Sequence, residues 1–125
     1  VQLFEDAMPA LEWMSARFPV VAVSNGNADV HRVGLGHHFH AAFNAREFGV
    51  GKPDPRIFHA AADAAGVGPA EVLHIGDDPR LDVVGALGAG MQVAWVNRTD
   101  MAWEHAPLQP HITVTNLMDL CRQIG

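Results

Sequence analysis

Glu71-Val72-Leu73-His74-Ile75 followed by Gly76-Asp77-Asp78-Pro79 is the stretch that decides how this chain folds. The first five residues read as a strand, because a short apolar run bounded by turn formers fits a buried strand better than a helix. Gly76 to Pro79 breaks it. Asp78-Pro79 then suits the start of a helix, with a capping carboxylate ahead of a proline whose fixed φ fits the first turn. That helix is expected to run to about Leu87.

Working outward, Met91 to Val96 reads as the next strand, and Ile112 to Thr115 as the last. A final helix follows, with Leu117, Leu120, Cys121 and Ile124 on one face. Upstream, Asp54 caps a helix that opens with Pro55, buries Ile57, Phe58, Ala61, Ala62 and Ala65, and ends at Gly66. Gly49 to Pro55 must be a loop, and Ala41 to Ala45 is a weaker strand. Val20 to Val23 is an apolar strand that stops at the turn formers Ser24-Asn25-Gly26-Asn27, with a short helix expected from about Ala28 to Val33. Phe4, Met8, Leu11, Met14 and Phe18 recur at helical spacing and predict an amphipathic first helix. Strands alternate with helices throughout. The fold class is therefore α/β, a parallel sheet with helices on both faces.

Composition excludes several classes of protein. The 125 residues are 49% hydrophobic and 18% charged, a balance that builds a core. With a formal net charge of −6 and no basic stripe, nucleic acid is not an expected partner. No apolar run approaches the ~20 residues needed to cross a bilayer, so no membrane partner is expected. Cys121 is the only cysteine; an internal disulfide is impossible, which fits a cytoplasmic location. The chain opens on Val1 rather than Met and shows no signal-peptide pattern, so an upstream segment is expected. There is no internal repeat, and Asn97 to Pro110 is the one stretch that resembles a linker.

In open parallel sheets, ligands bind beyond the carboxyl ends of the strands. Ser24 and Asn25 follow the first strand, Asp77 and Asp78 the third, and Lys52 lies in a loop before a helix. A hydroxyl, an amide, an ammonium and two carboxylates at one sheet edge suit phosphoryl transfer, where catalysis is largely positioning and charge stabilisation. Lys52 can set a positive charge near the phosphoryl oxygens, and Ser24 with nearby backbone N–H groups such as that of Gly26 can donate hydrogen bonds. Asp77 can hold Mg²⁺, a hard cation that prefers oxygen ligands. Each residue also has a plainer reading. Ser24 and Asn25 would cap a helix, Lys52 would be a solvated charge, Asp77 and Asp78 would be first-turn residues, and Asp82 would lie on a helix surface. The order strand–SNGN, GKPDP–helix, strand–GDD–helix favours the functional reading.

In that order, SNGNADV (24–30), GKPDPRIF (51–58) and LHIGDDPRLDVVGALGAGM (73–91) resemble motifs II, III and IV of the haloacid dehalogenase (HAD) superfamily. The likeness is greatest to subfamily I phosphatases with a helical cap. Within these it points to the branch acting on FMN or on 5-amino-6-(5-phospho-D-ribitylamino)uracil, with GMQVAWVN (90–97) and PHITVTNL (110–117) adding support. The resemblance implies a Rossmann-like core over residues 19–125, with residues 1–18 a helix leading from the cap region. It implies that Ser24 binds a phosphoryl oxygen with Asn25 beside it, that Lys52 neutralises the nucleophile, and that Asp77 ligates Mg²⁺. Asp78 would assist the metal, and Asp82 would support the metal or Lys52.

The family's DxDxT motif, which carries the nucleophile on a central strand, is absent from these residues. In the family that strand lies between the strands ending at Val23 and Ile75. The expectation is thus the C-terminal part of a Mg²⁺-dependent phosphomonoesterase for a small metabolite, inactive alone, and either oligomeric or completed by a missing N-terminal segment. Alternatives are a non-catalytic HAD-like scaffold, a dehalogenase-type hydrolase, and a receiver-like phosphoacceptor, whose acidic pair would come first in the chain rather than last.

Outside this set, His37, His38 and His40 fit no zinc signature and read as a turn. His74, in a strand next to the acidic turn, reads first as a satisfied core histidine and second as a group that tunes that site; Trp95 reads as a core residue, and Trp103 as a loop anchor.

Overall fold

The computed structural model describes residues 5–26 and 38–125. The expected helix at 28–33 lies outside the described residues, as does His37. The elements run α1 (Ala7–Ser15), β1 (Val21–Ser24), β2 (Ala41–Asn44), α2 (Ala45–Phe48), α3 (Pro55–Ala65), β3 (Leu73–Gly76), α4 (Gly85–Gly88), β4 (Gln92–Val96), β5 (Ile112–Val114) and α5 (Leu117–Ile124). Every strand pairing is parallel.

The strands form two sheets, β1–β2 and β3–β4–β5. Among the described residues, β1 pairs only with β2 and β3 only with β4, so the sheet divides where the family resemblance sets a central strand. β4 shows why the larger sheet is covered on both faces. Side chains alternate across a strand, and Val93 and Trp95 enter one cluster with Ile57 and Phe58 of α3 and Ala86 of α4. Ala94 and Val96 enter another with Val114 and Leu120 of α5. A third cluster packs Ala10 and Met14 of α1 on Cys121 of α5. Helices α1 and α5 thus line one face, and α3 and α4 the other. Helix α3 also packs on β1 and β2, where Val23 and Phe43 lean on its core, so it spans the two sheets.

Helix α3 begins and ends where the sequence marks it. Asp54 accepts the Arg56 N–H, and Gly66 closes the helix at φ 75°, a left-handed conformation that glycine adopts without a Cβ penalty. Two expectations need correction. The third strand starts at Leu73 rather than Glu71, because Pro69–Glu71 forms a 3₁₀ turn closed by the Val72 N–H on the Pro69 carbonyl. The helix expected from Pro79 to Leu87 is π-helical over Pro79–Val84 before it becomes α4. There the Val83 N–H reaches back five residues to the Asp78 carbonyl, and the widened turn buries Asp82 and Val83. The 97–110 connection is not an open linker. Asn97 exchanges two 2.9 Å hydrogen bonds with the Met101 backbone, and Trp103 packs on Trp95 with ring centroids 5.2 Å apart.

Candidate functional site

Ser24 is the last residue of β1 and Asp77 directly follows β3, so both stand at carboxyl ends of strands. Between them runs a connected series of polar contacts. The Asn25 carboxamide binds the Lys52 backbone at both ends. Its Nδ2 donates to the Lys52 carbonyl at 2.8 Å, and its Oδ1 accepts the Lys52 N–H at 2.6 Å. The approach is tight enough that a Cβ on Gly51 would lie 2.6 Å from Asn25 Oδ1.

With its backbone fixed, Lys52 extends its Nζ to 2.6 Å from Asp82 Oδ1. The two side chains are only 13% and 4% exposed, so this is a buried pair rather than a surface one. The same oxygen lies 2.9 Å from His74 Nε2, while Asp82 Oδ2 accepts the Asp78 N–H at 3.1 Å. Burial alone would push the Asp82 carboxyl up. The His74 hydrogen bond and the Lys52 charge outweigh burial and hold it down at about 2. Asp82 is therefore an ionised acceptor, and not the surface helix residue of the plainer reading. Gly76 makes room for it, since a Cβ there would fall 2.2 Å from Asp82 Cγ.

The remaining residues depart in part from what the sequence implies. Asn25 uses its amide oxygen and one of its two amide N–H donors on the Lys52 backbone. Gly26 donates its N–H to Ser24 Oγ at 3.1 Å rather than outward. In accepting that bond the Ser24 hydroxyl keeps its own proton to give. Asp78 caps the π-helical turn, its Oδ1 accepting the Arg80 and Leu81 N–H groups, which leaves one oxygen for any metal. Asp77 is exposed, and its carbonyl accepts the Trp95 Nε1–H at 2.9 Å, which fixes the acidic turn from below. A hollow beside this turn opens between Asp78–Arg80 and Met101–His105; neither Ser24 nor Lys52 lines it.

Among the described residues no three His, Cys, Asp or Glu side chains gather as a metal cage. Mg²⁺ needs no such cage, since it keeps several waters and takes one or two carboxylates. His38 stands 3.5 Å from Ser15 and His40 is exposed, in keeping with a turn.

Trp95 is in the core as the sequence predicts, but its hydrogen bond to the acidic turn is not legible in the sequence; for His74 the second reading, a group beside that turn, is the one its contact with Asp82 favours. A usable signal was present for His74: it sits two residues before Gly76, so it shares the strand face on which Gly76 leaves space for Asp82.

The fold and this edge define an α/β domain with one buried ammonium–carboxylate pair set beside an exposed acidic turn. Residues 1–90 match the model for haloacid dehalogenase-like hydrolases, and the chain belongs to that family. It is 34% identical over 114 residues to the 5-amino-6-(5-phospho-D-ribitylamino)uracil phosphatase of Escherichia coli, covering 88% of this chain and 48% of that protein. It is 39% identical over 103 residues to the phosphoserine phosphatase of Thermus thermophilus, covering 78% and 41%. A solved 2-haloacid dehalogenase from Pseudomonas syringae superposes with a TM-score of 0.94 at 38% identity, covering 99% of this chain and 54% of that one. The chain thus spans about half the length of the relatives it matches.

Proposed function

We propose that this chain carries the phosphate-holding and Mg²⁺-holding part of a phosphomonoesterase for a small phosphorylated metabolite. The observation that supports it most is the Lys52–Asp82 pair, tied through Asn25 to the end of β1 and through Asp78 to the acidic turn. An ammonium has three N–H donors. Asp82 engages one, and the others are available to phosphoryl oxygens. Ser24 adds its hydroxyl proton. Asp77 would hold Mg²⁺ with help from the second oxygen of Asp78, and the cation when bound offsets phosphoryl charge. The nucleophilic carboxylate would come from a segment outside these residues, on a strand between β1 and β3, so the chain alone would not turn over esters. The relative that acts on 5-amino-6-(5-phospho-D-ribitylamino)uracil makes a ribityl phosphate the first substrate class to try.

The dehalogenase likeness supports a second reading, hydrolysis of a 2-haloacid. The exposed Asp77 carboxylate favours the phosphatase, since dehalogenation in this superfamily uses no metal.

One assay separates them. The chain is joined to the N-terminal half of the Escherichia coli relative and offered a panel of phosphate monoesters and 2-chloropropionate. Phosphate release that stops when Mg²⁺ is chelated is the expected result. Chloride release without metal, or robust Mg²⁺-dependent turnover by the 125-residue chain alone, would overturn the proposal.

A further inference from the structure

We infer that His74 is a positioning residue: its Nε2–H holds Asp82 in the one orientation from which Lys52 faces the phosphate. The inference rests on the functional reading above and extends it to a residue outside the assigned set. Asp82 Oδ1 has two partners, Lys52 Nζ at 2.6 Å and His74 Nε2 at 2.9 Å. A carboxylate can only accept, so the proton on that side of the imidazole is on Nε2. The ring is itself held. His74 stands in β3, and its ring meets the fully buried Phe58 of α3 at 5.0 Å and 89°.

Phe58 lies six residues after Lys52, on the helix that the lysine loop enters. One imidazole therefore registers three elements against each other: β3, the π-helical turn that carries Asp82, and α3 behind Lys52. Without it, Asp82 would keep only the Lys52 ammonium and the Asp78 N–H. The carboxylate could then rotate toward the ammonium and draw it away from the space beyond the strands. Groups that orient a ligating side chain matter in this way although they never touch the ligand.

The test uses the 125-residue chain and reads inorganic phosphate binding in the presence of Mg²⁺, by ³¹P NMR titration. His74→Phe keeps the edge-to-face ring contact with Phe58 and removes the donor. It should weaken phosphate about tenfold, the lower end of what loss of an orienting partner costs. His74→Gln replaces the Nε2–H with an amide N–H at similar reach and should bind within about twofold of wild type. ¹⁵N shifts of the His74 ring should report the Nε2–H tautomer in the wild-type chain.

Equal phosphate affinity in His74→Phe and wild type would overturn the inference. So would His74→Gln binding as poorly as His74→Phe, which would make the ring a packing element only. If the wild-type chain binds no phosphate, the functional reading fails. The tautomer then decides: an Nδ1–H imidazole, unable to donate to Asp82, refutes the role of His74.

Discussion

The two sheets of this molecule are built from similar strands and held very differently. In β4, Val93 to Val96 are all buried, with a neighbouring strand on each side and helices on both faces. In β1, Val21, Ala22 and Val23 are of comparable apolarity but only half-buried, and β2 is their one partner strand among the described residues. Composition does not separate them: Val21-Ala22-Val23 is as fit for a core as Val93-Ala94-Trp95. What differs is the number of elements around them. The β1–β2 pair connects to the rest through α3 and through Lys52–Asp82, an apolar join and an electrostatic one.

The apolar join offers the largest effect. Phe58 is fully buried in the cluster that receives Val23 and Phe43 from one sheet and Val93 and Trp95 from the other. Phe58→Ala should cost about 3–5 kcal/mol, the usual range for truncating a buried Phe. It should also remove hydrogen-exchange protection from β1 and β2 at lower denaturant than from β4. Simultaneous loss in both sheets would show that they are one cooperative unit and that the contrast drawn here has no energetic meaning.

The electrostatic join should give a smaller effect, confined to acid. The Asp82 carboxyl is held near 2 in the fold against an ordinary 3.8. A depressed carboxyl contributes stability that is fully present above its unfolded value and is lost as pH falls toward the folded one. The window is therefore about pH 4 down to about pH 2, and the amount is on the order of 2 kcal/mol. Urea midpoints taken on either side of that window should fall further for wild type than for Asp82→Asn. Parallel midpoints for the two proteins would show that the buried pair is not what acid breaks.

The sequence exposed the fold through punctuation. Asp54-Pro55, Gly66 and Asp78-Pro79 set element ends by local chemistry, and they stand in the structure where that chemistry requires. The π-helical turn was not legible, since a register change of one residue leaves no composition signal and depends on where Asp82 finds its partners. The residue types of the site were visible in SNGN, GKPDP and GDD. How the side chains divide the work was not. Asn25 reads from the sequence as a residue beside the phosphate, and the structure adds that its amide is bound to the Lys52 backbone; Asp78 reads as a helper of the metal, and the structure adds that one of its oxygens caps the π-helical turn. The Asn25–Lys52 contact joins residues 27 apart in the chain, about which a single sequence says nothing, whereas the Asp78 cap is local and was legible in Asp78-Pro79. The division of the sheet, by contrast, was foreseeable from the absence of DxDxT.

At the centre of this account is the proposal that Ser24, Lys52 and Asp77 serve one anion and its counter-ion from three separate segments. The most direct measurement is a crystal structure of this chain grown with Mg²⁺ and tungstate, a phosphate mimic located by its anomalous signal. Tungstate hydrogen-bonded to both Ser24 Oγ and Lys52 Nζ, with Mg²⁺ on Asp77, is the predicted result. Tungstate bound elsewhere while Lys52 and Asp77 face different regions would contradict it.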